Sequence, residues 1–136
     1  MRGIDITNTL EMVYDFMEAA GQDVSSDFTP DRLALRVSLM FEEVEEASEA
    51  ALAMATTLAR GGTPSTEAKA HLLKELCDVQ YVLDGFFATF GFDKDAAFTR
   101  VHHSNLSKME GMVKRGDGKV MKGEHYKPPY LEDLVI

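Results

Sequence analysis

Apolar residues recur along most of the chain at three- and four-residue spacing, the pattern of α-helices that bury one side. No segment shows the alternation expected of a half-buried strand. A glycine ends each of the first three runs, and Thr29-Pro30 is a typical start signal for the second. The pattern predicts four helices, over residues 5–20, 30–60, 66–90 and 94–109.

Four helices with short connections predict an all-α fold, an antiparallel four-helix bundle. Glycine and proline become frequent beyond Glu110, so residues 110–136 are predicted to form an irregular basic arm with a turn near Gly116-Asp117-Gly118. With 136 residues and 45% hydrophobic composition, the chain can build one core without disulfides. We expect a single domain over residues 1–136, with its helical core at about 5–109.

The charge of the chain restricts its ligands. A net charge of −9 argues against binding to duplex nucleic acid, because such binding depends on neutralising phosphates. Residues 1–99 hold 7 Lys/Arg against 18 Asp/Glu, whereas residues 100–127 hold 7 against 3. This asymmetry indicates an anionic ligand that a metal holds from one side and basic side chains hold from the other.

Cysteine content and hydropathy bear on location. Cys77 is the only cysteine, which favours a reducing cytoplasm and a buried thiol without a catalytic role. No apolar run approaches the roughly 20 residues needed to cross a bilayer, and the N-terminal residues lack the apolar stretch of a signal peptide. We expect a cytoplasmic protein without a membrane partner.

Acidic residues are concentrated on two of the predicted helices. The second helix carries five carboxylates within eight residues, and the third carries an acidic pair, namely Glu42, Glu43, Glu45, Glu46 and Glu49, then Glu75 and Asp78. At about 100° per residue, Glu43 falls inside the apolar arc of its helix and Glu46 at the edge of that arc. Glu45 and Glu49 fall on the opposite, solvated side. A functional role is therefore predicted first for Glu43 and Glu46.

Two such helices packed together would bring four carboxylates into one cleft. Their mutual repulsion and desolvation are tolerable only if a cation neutralises them, and an all-oxygen set favours Mg²⁺. Glu42 could be a further ligand or a base. Arg36, seven residues before Glu43, either forms a salt bridge with one of these acids or contacts a phosphate. A di-iron bundle is excluded, because the chain has no Glu-x-x-His motif.

The two acidic segments resemble a known signature. Glu42-Glu43-Val44-Glu45-Glu46 and Glu75-Leu76-Cys77-Asp78 are similar to the E-E-x-x-E and E-x-x-D motifs of the all-α nucleoside triphosphate pyrophosphohydrolases, which include MazG and phosphoribosyl-ATP pyrophosphohydrolase. Residues 101–108, 118–123 and 126–129 are similar to the C-terminal pattern of short single-domain members, many of them from phages and bacteria. The resemblance covers roughly residues 30–130.

The resemblance implies particular roles. Two or more Mg²⁺ ions, with Mn²⁺ able to substitute, would be held by Glu43, Glu46, Glu75 and Asp78. Glu42 or Glu46 would act as general base toward the attacking water. Phosphate contacts would come from Asn105, Lys108, Lys119 and Lys122, in addition to Arg36. Family members are usually homodimers or homotetramers. The resemblance does not identify the residues that bind the base.

The predicted activity is hydrolysis of a (deoxy)nucleoside triphosphate to the monophosphate and pyrophosphate, which controls the nucleotide pool. A purine deoxynucleotide such as dGTP is the predicted substrate, from the resemblance to phage enzymes, and a phage protein would act in the host cytoplasm. Phosphoribosyl-ATP pyrophosphohydrolase is the alternative enzyme, although Val82 stands where a histidine is often found. The remaining alternative is a non-enzymatic helical protein whose acidic helix binds a basic partner.

Overall fold

The computed structural model describes residues 8–136 and confirms an all-α protein with four helices in that part of the chain. An antiparallel hairpin, whose two strands have two residues each, and a short 3-10 turn follow the helices. The elements are α1 (Thr9–Ala19), α2 (Pro30–Ala59), α3 (Thr66–Phe90), α4 (Lys94–Leu106), β1 (Val113–Lys114), β2 (Val120–Met121) and the turn Glu132–Leu134. No helix within residues 8–136 has the length and apolar character needed to span a membrane.

The helix boundaries follow local capping chemistry. The Thr29 hydroxyl accepts a hydrogen bond from the Arg32 amide at 3.2 Å, and Gly91 ends α3 with a φ of 64°. The described part of α1 begins at Thr9 after the extended N-cap residue Asn8, and the predicted start at Asp5 lies outside the described residues. Residues 1–7 lie outside the described part of the chain. The fourth helix ends at Leu106, three residues earlier than predicted.

The chain divides into two compact units, one ending at Gly91 and the other comprising Phe92–Ile136. In the first unit, α2 and α3 run antiparallel, since Arg36 lies against Gly85 while Glu46 interacts with Glu75. α1 runs parallel to α3, since its first turn lies near Cys77 and its last turn near Gly85. These directions are those of the first three helices of the predicted bundle.

The core of the first unit is small. Val13, Met17 and Ala88 are almost fully buried, and half-buried apolar residues of α1 and of the following linker pack against them. The linker also caps α3, because the amides of Ser25 and Ser26 donate to the carbonyls of Ala88 and Thr89 at 2.8 and 2.7 Å. This contact fixes the linker beside the last turn of α3.

The buried side of α3 differs from the predicted one. Leu76, which the three- and four-residue spacing places on the apolar face of α3, is 53% exposed, and the Cys77 thiol is exposed as well. The residues that α3 buries are two acids, three small residues and one aromatic residue, namely Glu75, Asp84, Gly85, Ala88, Thr89 and Phe90. An apolar pattern cannot identify this side, because Phe90 is its only large apolar member among the described residues.

The second unit carries a better-ordered arm than the sequence predicts. The Ser104 hydroxyl donates to the Lys127 carbonyl at 2.6 Å, and Arg100 forms an ion pair with Asp133. These contacts fasten the end of the arm to α4. The predicted turn near residue 117 is confirmed, and it closes the β1–β2 hairpin.

Candidate metal centre

Three predicted metal ligands meet between α2 and α3. One carboxylate oxygen from each of Glu43, Glu75 and Asp78 lies within 4.8 Å of the other two. The small buried side chains Ala47 and Ala50 line the same side of α2, so the helices can approach closely there. The antiparallel pair therefore places the E-E-x-x-E and E-x-x-D segments face to face.

The donor set fits a cation. Glu75 is only 4% exposed, and Glu43 and Asp78 are half-buried. Within residues 8–136, Glu43 Oε2 and Glu75 Oε2 are buried without any hydrogen-bond partner. Leaving such carboxylate oxygens unpaired is costly, and a divalent ion with oxygen ligands would satisfy both.

Glu46 lies beside this centre. It is exposed, and its pKa is raised above the ordinary value, first by a hydrogen bond with Glu43 and then by the Glu43 charge. Burial and Glu75 add smaller contributions in the same direction. Without a cation, the neighbouring carboxylates thus disfavour the charged form of Glu46.

The remaining acids of α2 point away from α3. Glu42, Glu45 and Glu49 are exposed, and Glu43 is the one member of the five that is half-buried. This agrees with the position of Glu43 in the apolar arc. A catalytic role of Glu42 stays a prediction.

A lysine that the sequence analysis did not single out also reaches the centre. Lys74 Nζ lies 2.7 Å from Asp78 Oδ2 and 3.5 Å from Glu75 Oε1. The hydrogen bond to Asp78 and the charge of that carboxylate raise the pKa of Lys74. His71 Nδ1 lies 3.7 Å from the same Glu75 oxygen. The four-residue spacing of Lys74 and Asp78 was the available signal.

We expect Lys74→Met to tighten divalent-cation binding about two- to fivefold, because the ammonium competes for the Asp78 oxygen. Calorimetric titration with Mn²⁺ measures the change directly. Lys69→Met is the matched control, since Lys69 is exposed on the same helix. An unchanged affinity in Lys74→Met would contradict this prediction, because it would show that the ammonium does not compete with the ion for the Asp78 oxygen.

The predicted phosphate contacts lie in both units. Arg36 is buried in the first unit, and within the described residues it forms no salt bridge with the acids of the centre. The other four belong to the second unit, at the end of α4 and on or beside the hairpin, namely Asn105, Lys108, Lys119 and Lys122. The ammonium groups of Lys108 and Lys122 lie 5.7 and 5.1 Å from the Tyr126 ring centre, which places them in one cluster.

An antiparallel helix pair that presents E-E-x-x-E opposite E-x-x-D defines the class of all-α, MazG-like nucleoside triphosphate pyrophosphohydrolases. Within that class, the sequence profile described as phosphoribosyl-ATP pyrophosphohydrolase matches residues 10–105, and the chain belongs to that family. The match extends from α1 to the end of α4. A search of curated proteins finds no match to the chain.

Proposed function

We propose that the protein hydrolyses a nucleotide between its α- and β-phosphates, releasing pyrophosphate and leaving the monophosphate. The observation that carries this proposal is the centre of Glu43, Glu75 and Asp78 with its two buried, unpaired oxygens. Oxygen ligands favour Mg²⁺, with Mn²⁺ as a substitute, and the family match supports a pyrophosphohydrolase. The lone cysteine and a nucleotide substrate support a cytoplasmic location.

The residues of the centre have two proposed roles, binding of the metal ion and activation of water. A bound divalent ion would neutralise phosphate charge and acidify a coordinated water. Glu43, Glu75 and Asp78 would hold the ion, and Glu46 would complete the set at the solvent side. Glu46, which is hydrogen-bonded to Glu43, and Glu42 are the two candidate bases for the attacking water.

Basic residues of the second unit bind the phosphates in this proposal. Lys108 and Lys122 flank Tyr126, and Lys119 precedes β2 in the hairpin. Asn105 lies in the last turn of α4. Positively charged side chains beside the phosphate oxygens would stabilise the negative charge that develops on the leaving pyrophosphate.

Two substrate classes fit this chemistry. A deoxynucleoside triphosphate is the first, with a purine such as dGTP as its leading member. Phosphoribosyl-ATP is the second, and the family match over residues 10–105 is equally consistent with it. Both have the same phosphoanhydride bond, so the metal centre does not discriminate between them.

The deciding experiment incubates the purified protein and Mg²⁺ with eight common nucleoside triphosphates and, separately, with phosphoribosyl-ATP. Chromatography resolves mono-, di- and triphosphates, and a coupled assay measures pyrophosphate. Monophosphate and pyrophosphate in equal amounts would support the proposed reaction, and the best substrate would identify the class. No turnover with either Mg²⁺ or Mn²⁺ would refute it and favour the non-enzymatic alternative.

A homo-oligomer, dimer or tetramer, belongs to the same proposal. Five large apolar residues of α2 are exposed on one side of the helix, about 100° from the stripe that faces α3, and we call them the apolar row: Leu33, Val37, Phe41, Val44 and Leu52. Phe41 is 68% and Leu52 66% exposed. An uncovered row of this kind is typical of a protein interface, and a second copy of the chain would bury it.

Leu52→Glu is expected to shift the protein to monomer, because it places a charge inside the buried contact. Sedimentation velocity at micromolar concentration measures the shift. Ala53→Glu is the matched control, since this exposed residue lies on the opposite side of α2. A wild-type protein that sediments as a monomer would contradict the oligomer, as would an unchanged state of Leu52→Glu.

A further inference from the structure

Arg36 is a buried cation with an unsatisfied donor. Only 6% of the residue is exposed, and its Nε has no hydrogen bond within residues 8–136. Burial lowers the pKa of Arg36, and the Asp23 carboxylate offsets part of that effect. A buried N–H group without a hydrogen bond destabilises a fold, and a bound ligand that accepts a hydrogen bond would satisfy it.

The opposite helix is shaped around this side chain. A Cβ atom at Gly85 would lie 2.9 Å from Arg36 Nη1, so a side chain at residue 85 would displace the end of Arg36. A glycine inside a helix costs about 0.5–1 kcal/mol relative to alanine. Gly85 thus leaves room for the guanidinium in its present position.

Two adjoining cavities reach Arg36. The larger, of about 410 Å³, includes Gln22, Leu35 and Leu39 in its lining. The smaller, of about 130 Å³, shares Gln22 and Leu39 and adds Tyr81. A flat heteroaromatic ring suits such walls, because apolar side chains contact its faces while polar groups bind its edge.

The second arginine of the larger cavity is already engaged. Arg32 Nε donates to Asp23 at 3.1 Å, and its Nη1 donates to the Asp27 carbonyl at 3.1 Å. Arg36 Nε is therefore a buried donor of this cavity that has no partner within the described residues, and the Gln22 amide and the Asp23 carboxylate share the lining with it.

The cavity lies at a suitable distance from the metal centre. Arg36 precedes Glu43 by two helical turns on the same side of α2, a separation of about 10 Å along the helix. A nucleotide bridges such a distance between its phosphates and its base. A phosphate group, in contrast, would be drawn to the metal, away from walls formed by Leu35 and Leu39.

Resting on the proposed function, we infer that Arg36 is the base-reading residue and that the substrate carries a base with a carbonyl edge. Arginine only donates hydrogen bonds. Guanine offers two acceptors side by side, O6 and N7, and thymine and uracil offer O4, whereas adenine and cytosine present an amino group at that position. The inference moves Arg36 from phosphate binding to base selection, with guanine as the best fit.

The test compares kcat/KM for dGTP, dTTP, dATP and dCTP in wild type and Arg36→Met. We expect the wild type to prefer the carbonyl bases, and Arg36→Met to lose about 10- to 100-fold on dGTP while dATP changes less than about twofold. Arg60→Met, an exposed position at the end of α2, is the control. An equal loss on all four nucleotides would overturn the inference, as would a wild-type preference for dATP or dCTP.

Two further measurements exclude a purely structural role. Arg36→Met should melt at or above the wild-type temperature, because it removes an unpaired buried charge. Gly85→Ala retains the charge but displaces Nη1, and it should lower the dGTP-to-dATP preference in the same direction. A preference left intact in Gly85→Ala, or a lower melting temperature in Arg36→Met, would contradict the assignment.

Equilibrium binding separates this inference from the proposed reaction. Calorimetry with dGMP and dAMP needs no turnover, and we expect tighter binding of dGMP in wild type and loss of that difference in Arg36→Met. If no triphosphate is hydrolysed but this difference is found, the proposed reaction fails and the base site stands. If neither monophosphate binds, the base site is refuted.

Discussion

Glu43→Gln and Asp78→Asn are each expected to lower kcat/KM by about 100-fold or more and to leave the helical circular dichroism signal intact. Each change removes one ligand charge at the point where α2 and α3 meet and keeps the shape of the side chain. Because the unpaired oxygens of Glu43 and Glu75 already strain the metal-free centre, the variants should not melt below the wild type. Steady-state kinetics and Mn²⁺ calorimetry measure both effects.

Glu45→Gln and Glu49→Gln provide the matched controls. Both residues are exposed on the same helix, and we expect each variant to retain activity within about twofold. An acidic helix that merely binds a basic partner would make all five glutamates interchangeable. Equal effects at Glu43 and Glu45 would therefore favour that alternative, and full activity in Glu43→Gln would refute the metal centre.

Lys119→Met and Lys122→Met should each lower kcat/KM by about 10- to 100-fold, the usual range for losing one charge-assisted hydrogen bond. Lys119 lies directly before β2 and Lys122 directly after it, and both belong to the basic part of the chain. If they stabilise the leaving pyrophosphate, the loss should appear in kcat more than in KM. Single-substrate kinetics with the best nucleotide gives both constants.

Lys114→Met is the control for this pair, since Lys114 is an exposed residue of β1 in the same hairpin. Point variants are preferable to removal of the arm, because the Lys127 backbone and Asp133 are bonded to α4. Truncation would disturb the second unit as a whole. Unchanged kinetics in Lys119→Met and Lys122→Met would exclude a role of the hairpin in phosphate binding.

Local signals in the sequence predicted the helices and part of the site. Capping at Thr29 and Gly91 depends on neighbouring residues alone, so those boundaries agree with the structure. The position of Glu43 within the apolar arc correctly indicated a half-buried carboxylate. Periodicity succeeds in these cases because one helix face determines the outcome.

Contacts between helices were beyond such signals. The approach of Arg36 to Gly85 depends on how α2 and α3 pack, and a helix glycine has no apolar signature. Leu76 lies on the apolar face of α3 and is nevertheless exposed for the same reason, because the packing of α3 buries Glu75 instead. The contact of Lys74 with Glu75 also depends on packing, because the four-residue spacing in the sequence indicates only the pair with Asp78.

The turn between α2 and α3 lies apart from the acidic centre. Gly62 closes it through a hydrogen bond from its amide to the Thr57 carbonyl at 2.9 Å, and α2 extends roughly 20 Å from this end to Glu46. The chain could thus be divided between Thr63 and Pro64 without changing the acidic residues of the centre. The two fragments would each carry half of the cluster, so their reassembly should depend on the ion, which would make the protein a divalent-cation-gated split reporter.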